Sequence, residues 1–389
     1  MPDASAFSES PERIALRTAV AGVAATYGRE WFTAKARAGA KTDELWAEVG
    51  KLGYLGVAVP EEYGGGGGGI GDLAAVCEEL AAAGCPLLLM VVSPAICATV
   101  IAAYGNPAQK EHWLPGFANG TTKMAFSITE PDAGSNSHRI TTTARRDGDD
   151  WLLTGTKTYI SGVDEAEAVL VVARTNDART GALKPALFVV PTDAEGVSFQ
   201  RIEMEIVSPE GQFTLFFDDV RLPSDALIGQ EDAALAQLFA GLNPERIMAA
   251  SFALGLARYA LDRATAYVKD RDVWGQPIGA HQAVAHPLAE SAIEIELARL
   301  MTQKAAALYD AGDHLAAGEA ANMAKYAAAE ACCHVVDRAV QVHGGNGIAS
   351  EYGIAGLLVA SRTTRIAPVS REMVLNFIAQ HTLGLPKSY

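Results

Sequence analysis

The spacing of hydrophobic and polar residues changes twice along the chain. Up to about residue 122 the sequence is rich in alanine and leucine and is interrupted by glycine and proline, which indicates helices. Between about residues 124 and 228, short β-branched or aromatic runs alternate with turn residues and predict strands. Beyond about residue 231, long helical patterns return and continue almost to the end. The pattern therefore predicts an α+β fold in which helices, a β domain and a helical bundle follow one another.

The last part of the chain shows the helical period most clearly. Between residues 246 and 267, apolar residues recur near one face, whereas the charged residues lie elsewhere. Two further long helices are predicted over residues 281–311 and 315–343. In the middle part, the predicted strands are WLLTGTKTYISG, AVLVVART, ALFVVPT and FTLFFDDVRLP.

Length and composition agree with an ordinary globular protein of several domains. The chain has 389 residues, which corresponds to two or three domains at roughly 150 residues per domain. With 49% hydrophobic and 20% charged residues, the composition does not match that of a disordered chain. We expect an N-terminal helical domain over residues 1–122, a middle β domain over 123–230 and a C-terminal four-helix-bundle domain over 231–389.

Charge and cysteine content narrow the classes of partner and compartment. A total of 31 basic and 46 acidic residues gives a formal net charge of −15, which disfavours a nucleic-acid partner. The five cysteines form no CxxC pair, and Cys332 and Cys333 are adjacent, which suits neither a zinc site nor a disulfide framework. We expect reduced thiols in the cytoplasm. The acidic N-terminus fits neither a signal peptide nor a transit peptide.

One segment, residues 81–109, carries no charge, and the run PLLLMVVSPAICATVIAAY within it is nearly long enough to cross a membrane. Glycine, proline and serine interrupt it, and Lys110 is the one basic residue close to either end. The positive residues that commonly flank a membrane span are therefore missing. We predict a pair of buried helices here and no membrane span.

The glycine run at residues 64–69 matches the GxGxxG nucleotide-binding pattern only because each of its positions is glycine. No predicted strand precedes it and no βαβ unit follows, so we expect a flexible loop. His281 and His286 are five residues apart, a poor spacing for two metal ligands on one helical face. We expect no metal site.

Four other stretches combine turn residues, hydroxyls, aromatic residues and glycines in ways that suit the binding of a cofactor. They are AFSITEPDAGSNSHRITTTA at 125–144, TGTKTYISG at 154–162, NPERIMAASFALGLARYALDRATAYVKDRDVWGQPIGAHQ at 243–282 and QVHGGNGIASEYG at 341–353. Their order and spacing resemble the acyl-CoA dehydrogenase family, and the resemblance covers roughly residues 45–380. It implies FAD as the cofactor and the same helix–β–helix architecture that the periodicity predicts.

The resemblance implies that the first two stretches hold the flavin. The first leaves a strand and enters a turn rich in proline and glycine, which exposes backbone N–H groups and hydroxyls. Taken alone, this segment also fits an Asx- or ST-turn that closes a loop. By resemblance, Phe126, Ile128 and Thr129 lie at the pyrimidine end of the flavin. Ser135 would contact the flavin pyrophosphate or the CoA arm of the substrate.

In the second stretch, Tyr159 and Ser161 stand two residues apart on a predicted strand, and hence on the same face. In the family, an aromatic residue and a small hydroxyl residue flank the flavin ring at this place. Many members have tryptophan where this chain has tyrosine. The alternative is a pair of side chains that packs across strands.

The third and fourth stretches contain the residues that, by resemblance, reach the FAD of a neighbouring subunit. A guanidinium and glycine-exposed amides are what a diphosphate requires, and an aromatic side chain beside them would contact the adenosine. An exposed arginine at a helix end beside a packing aromatic residue is the alternative. The resemblance implies a homotetramer, with these contacts made by Arg271, Trp274, Gln282, Gln341, Gly344 and Gly345.

The catalytic base departs from the commonest family pattern. Dehydrogenation removes the α proton of the thioester while hydride leaves the β carbon, so a carboxylate must reach the α carbon. Pro368 stands where many members carry this glutamate. The isovaleryl-CoA and long-chain branches supply it instead from a Glu-Arg pair, which in this chain is Glu245 and Arg246. We predict Glu245 as the base, with Asn243 and Arg246 in contact with the acyl-CoA.

Other interpretations of these positions stay open. Asn243, Pro244 and Glu245 look like an N-cap, a proline at the first helical position and an acid in the first turn. Glu372, just inside a predicted last helix that follows Ser370, is the rival carboxylate. By resemblance, Ser370 contacts the flavin.

Pro368 also lacks the backbone N–H that, in the family, polarises the thioester carbonyl together with a flavin ribityl hydroxyl. A neighbouring amide would have to replace it. The resemblance as a whole implies FAD-dependent oxidation of an acyl-CoA to its trans-2-enoyl form, with electrons passed to an electron-transfer flavoprotein. Two alternatives are an oxygen-using flavoenzyme on the same fold and a catalytically silent subunit of a hetero-oligomer.

Overall fold

The computed structural model describes residues 9–176, 183–231 and 234–387. Helices come first, strands second and helices again last, which confirms the predicted α+β order. The helices of the first part are α1 (Pro11–Ala25), α2 (Gly28–Arg37), α3 (Asp43–Lys51), α4 (Ile70–Ala82), α5 (Leu89–Val92), α6 (Thr99–Tyr104) and α7 (Pro107–Asn119).

Local sequence signals explain where two of these helices begin. Ser10 precedes α1, and its hydroxyl accepts a hydrogen bond from the N–H of Arg13 at 3.2 Å, while Pro11 occupies the first helical position. Asn106 and Gln109 form a reciprocal capping box at the start of α7. Each arrangement satisfies N–H groups that a helix start leaves without an intrahelical acceptor.

Residues 89–104 of the uncharged segment fold as one continuous helical run, so the prediction of a helix pair is wrong. α5, a π-helical turn (Ser93–Ala98) and α6 follow one another without a break. Pro94 lies in the π-helical turn and lacks the N–H of an ordinary helical bond, which favours a change of register there. In the part of the chain that the structure describes, no helix is long and apolar enough to cross a membrane.

The glycine run forms a loop, as predicted, and this loop is packed and hydrogen-bonded. The N–H groups of glycines 66–68 all donate to main-chain carbonyls of the preceding segment. A Cβ at Gly65 would lie 2.1 Å from the carbonyl oxygen of Val59, which explains why no side chain fits. The Asp310 carboxylate then accepts from the N–H groups of the first two residues of α4. This helix start is therefore capped by the protein and is not open to a phosphate.

The described middle part forms one eight-stranded, mostly antiparallel sheet. Its strands are β1 (Met124–Ser127), β2 (Thr143–Asp147), β3 (Asp150–Ser161), β4 (Ala168–Asn176), β5 (Leu183–Pro191), β6 (Val197–Ile202), β7 (Gln212–Leu222) and β8 (Leu227–Ile228). The order is β6-β7-β3-β2-β4-β5-β8, and β1 pairs in parallel with β4. The four predicted runs form β3, β4, β5 and β7. β6 was not predicted because its side chains are largely exposed and show no apolar alternation.

The last part contains α8 (Ala234–Asp270), a short hairpin of β9 (Asp272–Val273) and β10 (Gln276–Pro277), α9 (Gln282–Asp310), α10 (His314–His343), α11 (Gly356–Ile366) and α12 (Arg371–Phe377). α9 and α10 begin and end within one residue of their predicted bounds. A GGNG turn (Gly344–Gly347) follows α10 directly.

α8 begins earlier than the sequence predicts, so the interpretation of Asn243, Pro244 and Glu245 as a helix start is wrong. Pro244 lies inside the helix, where it cannot donate a hydrogen bond to the carbonyl of Ala240. The hydroxyl of Tyr309, on α9, donates to that carbonyl at 3.0 Å instead. A neighbouring helix thus supplies the donor that proline lacks, and α8 continues through it.

One hydrophobic core joins the first and last parts of the chain. Side chains of α1, α3 and α4 pack with those of α8, α9, α10 and α11 in a single buried cluster. A second cluster lies between α6, α7 and one face of the sheet, and a third lies on its other face. The sheet and the start of α8 are therefore packed against the same helices, which positions the candidate site between them.

Candidate functional site

Two predicted flavin segments, the turn after β1 and the end of β3, lie against each other. The Nζ of Lys157 on β3 donates to the carbonyl of Ile128 at 3.0 Å. The next N–H along the strand, that of Thr158, donates to the carbonyl of Thr129 at 2.9 Å. The structure therefore brings Ile128 and Thr129 next to the strand that carries Tyr159.

Lys157 and Glu130 form a buried ion pair beside this turn. The Nζ and Oε1 atoms lie 2.9 Å apart, and the two side chains are 0% and 4% exposed. Burial lowers the pKa of Lys157 to about 8, against the pull of the glutamate. Burial opposes ionisation of Glu130, but hydrogen bonds from Thr142, Lys157 and Thr141 lower its pKa to about 2. Both groups are charged at neutral pH.

Tyr159 adopts a backbone conformation that tyrosine rarely takes. Its φ is 57°, and the pairing of β3 with β7 shifts register between Lys157 and Ile160. Tyr159 therefore lies in a β-bulge, and the shared face of Tyr159 and Ser161 stays a prediction. The tyrosine side chain is 60% exposed. Backbone strain of this kind is concentrated at active sites and ligand clamps.

Ser161 ends β3 and is paired with Gln212, the first residue of β7. The Gln212 amide donates to the Ser161 hydroxyl at 2.9 Å. Phe126 is buried in the core on one face of the sheet, whereas Ser135 is exposed in the turn. The predicted flavin residues therefore differ in how much of each a ligand can reach.

Glu245 lies on α8 just after Leu242, which packs on the same core cluster as Ile128. The pKa of the Cys97 thiol in the π-helical turn is raised by burial and further by the nearby Glu245 carboxylate. Burial also raises the pKa of Glu245 to about 7, against the opposing charge of Arg246. A carboxyl group that changes protonation near neutral pH suits a general base.

Arg246 is half-buried, and the protein satisfies the hydrogen-bond donors of its guanidinium only in part. Its Nη1 donates to the carbonyl of Leu242 at 3.0 Å and to Oδ1 of Asn243 at 3.3 Å. Its Nε is buried without a hydrogen-bond partner among the described residues. Asn243 is itself buried and donates to the carbonyl of His314 at 3.3 Å. Asn243 therefore contacts Arg246 and the start of α10.

The loop between α11 and α12 carries Pro368 and is anchored by Lys325 of α10. The buried Nζ of Lys325 donates to the carbonyl of Arg365 at 3.4 Å and to that of Val369, one on either side of the proline. Burial and the nearby charge of Arg246 lower the pKa of Lys325 to about 8. Lys325 thus holds this loop near the turn of α8 that carries the predicted base.

Ser370 caps α12, and its hydroxyl accepts from the N–H of Met373 at 3.3 Å. The prediction that Glu372 lies just inside this helix is confirmed. The Glu372 side chain is 72% exposed and lies 3.6 Å from the guanidinium of Arg371. Of the two candidate carboxyl groups, Glu245 belongs to a half-buried residue and Glu372 to an exposed one.

The residues predicted to reach a neighbouring FAD gather at the other end of α8. Arg271 directly follows the helix, and Trp274 and Gly275 form a two-residue turn with φ of 55° and 81° between β9 and β10. The Trp274 side chain is 88% exposed. The GGNG turn lies close by, because the amide of Asn346 donates to the hydroxyl of Tyr267 at 3.0 Å. The exposed residues of this region also include Gln282, Gln341, Gly344 and Gly345.

The predicted site residues fall into two sets, one around Glu245 and one around Arg271, and the two sets lie far apart. Glu245 and Arg271 are separated by most of α8, roughly 40 Å at 1.5 Å per residue. One set lies between the sheet and the start of α8, and the other lies on an exposed surface.

Four residues of the site were not predicted from sequence. Lys157 and Glu130 lie inside the quoted stretches, and a lysine within a strand that is otherwise largely uncharged was the available signal for a buried pair. Gln212 and Lys325 had no comparable signal, because their contacts are with distant segments.

The exposure and chemistry of these residues fit a flavin dinucleotide. Tyr159 presents an exposed aromatic side chain from a strained position, and the turn beside it exposes hydroxyls. A Cβ at Gly344 or Gly345 would meet nothing within 4 Å, so a diphosphate could approach the backbone there. Over the described ranges, no group of three or more His, Cys, Asp and Glu residues is placed to hold a metal ion.

Comparison with known proteins gives a consistent result. Models of the acyl-CoA dehydrogenase N-terminal, middle and C-terminal domains match residues 10–121, 125–220 and 235–383. Acyl-CoA dehydrogenase FadE12 of Mycobacterium tuberculosis is 66% identical over 389 residues, with 100% of both chains covered. Butyryl-CoA dehydrogenase of Megasphaera elsdenii has a TM-score of 0.91 at 27% identity, over 97% of this chain and 99% of that one. A glutaryl-CoA dehydrogenase of Mycobacterium smegmatis in complex with FADH2 has a TM-score of 0.89 at 27% identity, over 100% and 98%.

Proposed function

Because this chain belongs to the acyl-CoA dehydrogenase family and is an acyl-CoA dehydrogenase, we propose that Glu245 is the base that removes the α proton of the acyl-CoA thioester. When bound, FAD supplies the acceptor for the hydride of the β carbon, so that a trans-2-enoyl-CoA results. Glu245 must be ionised when the acyl-CoA arrives, and it holds the proton after the transfer.

The half-buried position of Glu245 inside α8, where burial raises the pKa of its carboxyl group to about 7, is the observation that carries this proposal. Burying a carboxyl group without a close cation partner costs free energy, and its place inside α8 removes the helix-cap explanation for it. Pro368, at the usual family position, has no acidic side chain. Glu372 faces solvent beside Arg371. Glu245 is therefore the better-placed carboxyl group.

We expect Arg246 to orient the acyl-CoA through its unpartnered Nε, while Asn243 holds the guanidinium in place.

The next main-chain N–H after Pro368 belongs to Val369, and it donates to no acceptor among the described residues. Lys325 anchors the carbonyl of the same residue. We propose that this N–H replaces the one that proline lacks and polarises the thioester carbonyl.

The residues that would hold FAD come from both sets described above. Phe126, Ile128, Thr129, Tyr159, Ser161 and Ser370 would surround the flavin ring, and Ser135 would reach its pyrophosphate. The second set lies roughly 40 Å away along α8, which supports contact with the FAD of another subunit. An arginine, an exposed tryptophan and exposed glycines are suited to the diphosphate and adenosine end.

We also propose a homotetramer that passes electrons to an electron-transfer flavoprotein in a reducing compartment such as the cytoplasm. An apolar stripe on α9 supports subunit contact, because Ile293, Leu297 and Leu300 are 60%, 64% and 38% exposed and share one helical face. All five cysteines are free and buried, which is consistent with a reducing environment.

An anaerobic titration of the FAD-loaded enzyme with a panel of acyl-CoAs tests the proposal. Wild type and the matched control Glu372→Gln should lose the yellow flavin absorbance with at least one acyl-CoA. Glu245→Gln should bind that acyl-CoA, seen as a shift of the flavin spectrum, but reduce the flavin at least about 100-fold more slowly.

The possible outcomes distinguish a wrong assignment of the base from a wrong assignment of the reaction. Flavin reduction by Glu245→Gln at the wild-type rate would show that another group takes the proton. If no acyl-CoA reduces wild type, the proposed reaction is wrong for the homo-oligomer, and a second family chain that restores reduction would identify a silent subunit. Fast reoxidation of the product complex in air would favour an oxygen-using flavoenzyme.

A further inference from the structure

We infer that the buried pair of Lys157 and Glu130 holds the turn after β1 in the shape that binds FAD, so that this part of the flavin site is formed before the flavin arrives. The inference rests on the FAD site proposed above. It makes both side chains positioning residues, since each acts on main-chain groups of the turn.

The lysine ties the entry of the turn to β3. Its ammonium has three N–H donors, of which one reaches the carbonyl of Ile128 at 3.0 Å and one reaches Oε1 of Glu130 at 2.9 Å. Between them, the carbonyl of Thr129 accepts from the N–H of Thr158 at 2.9 Å. Three consecutive residues are thus bonded to one strand, and two of them are predicted flavin contacts.

The glutamate ties the exit of the turn to its entry. Its Oε1 also accepts from the N–H of Thr142 at 2.9 Å, and its Oε2 accepts from the N–H and hydroxyl of Thr141 at 2.6 and 2.8 Å. Residues 131–140, which include the exposed Ser135, therefore form a loop whose two ends are joined by the hydrogen bonds of Glu130. The loop can be exposed to a ligand while its two ends stay fixed.

Stability alone is a weak reason to keep such a pair. Removing two charges from water costs several kcal/mol, and apolar residues of similar size often stabilise a protein as well or better. The pair is fully buried, yet its hydrogen bonds go to the turn and not to the sheet core. Tyr159 at φ 57° follows Lys157 by two residues, so the same anchor fixes the start of the bulge.

FAD affinity tests the inference. The main variant is the double substitution Lys157→Met with Glu130→Gln, which removes both charges and leaves neither buried alone. The matched control is Lys123→Met, because Lys123 also forms ion pairs, with Asp43 and Glu165, but does not bond to the turn. Each protein is stripped of flavin, and the dissociation constant for FAD and the unfolding temperature of the apoprotein are measured.

We expect the double variant to bind FAD at least tenfold more weakly than wild type while its apoprotein unfolds within a few degrees of wild type. The control should keep the wild-type dissociation constant. A folded double variant with FAD affinity within twofold of wild type would overturn the inference. So would failure of the double variant to fold where the control folds, since the pair would then be a general folding requirement.

No acyl-CoA is used in this measurement, so the two proposals fail separately. A wild-type protein that binds FAD but is not reduced by any acyl-CoA contradicts the proposed reaction and leaves the role of the pair intact. A wild-type protein that binds no FAD contradicts both.

Discussion

At Glu245, burial and a neighbouring charge act in opposite directions. From sequence, this residue looked like an acid in the first turn of a helix, where the helix dipole would favour its ionised form. In the structure it lies well inside α8, so burial dominates over Arg246 and raises the pKa to about 7. Because α8 starts earlier than the sequence predicts, Glu245 is interpreted as a candidate base and no longer as a helix cap.

The pH dependence of flavin reduction follows from this shift. Because a base must be ionised, we expect the rate of reduction by acyl-CoA to rise with pH through about 7 and to level off above it. Stopped-flow reduction of wild type between pH 5.5 and 9, in one buffer system of constant ionic strength, measures the profile. A profile that is flat across pH 7 would contradict the assignment of this pKa to the reacting group.

The same shift has the opposite effect on stability. The folded enzyme holds the proton of Glu245 more tightly than the unfolded chain, whose carboxyl pKa is 4.5. Stability is therefore lost as pH rises from about 4.5 to about 7. We expect Glu245→Gln to stabilise the apoprotein at pH 8 by about 3 kcal/mol and to have much less effect at pH 5. Urea unfolding at the two pH values checks this, and an equal effect at both would contradict it.

At the scale of helices, buried charges join α1, α4 and α8. Arg17 of α1 reaches Glu79 at 2.7 Å and Glu78 at 3.0 Å, and Arg258 of α8 reaches the same Glu79 at 2.7 Å and Glu78 at 2.8 Å. Because both glutamates are nearly buried, Arg17→Met would leave them with one partner between them. We expect a loss of about 3 kcal/mol of unfolding free energy.

The matched control for Arg17→Met is Arg299→Met. Arg299 pairs with Glu296 on the surface of α9, and exposed pairs of this kind contribute at most about 1 kcal/mol. Urea unfolding of both variants compares them directly. Equal losses would show that the network between the helices contributes no more than a surface pair.

Tyr309 is expected to stabilise α8 at its proline. Tyr309→Phe removes the donor to the Ala240 carbonyl, which would cost about 1 kcal/mol. Amide hydrogen exchange should also quicken in the turn before Glu245. Tyr54→Phe is the control, because no hydrogen bond of the Tyr54 hydroxyl is found among the described residues. Unchanged exchange in that turn of Tyr309→Phe would contradict the role.

Local sequence patterns correctly predicted those helices and strands whose tertiary contacts do not override the pattern. α9 and α10 follow from their apolar faces, and the candidate flavin segments follow from turn chemistry and resemblance. Pro244 misled because proline normally marks a helix start, and the hydroxyl that lets α8 continue comes from Tyr309, far along the chain. No local pattern indicated that Asp310, far along the chain, caps the helix after the glycine run. A hydrogen bond from a distant segment leaves no signal in the local sequence.

At the scale of the whole molecule, the proposed subunit contacts and FAD binding are linked. We expect Leu297→Glu, in the apolar stripe of α9, to lower the molecular mass in light scattering and to lower the FAD content. Ile14→Glu is the control, because Ile14 is 53% exposed on α1 and is not part of the stripe. A variant that dissociates but keeps its full FAD content would contradict a site shared between subunits.

The burial of the five cysteines has a practical consequence. Each thiol is shielded, and burial raises the pKa of every one of them, so little thiolate is present to react with a maleimide. A cysteine introduced at an exposed position such as Leu315, which is 89% exposed, would therefore be labelled selectively in the native protein. Fluorescent dyes could be attached without first removing the natural cysteines, and distances between subunits could then be followed by energy transfer.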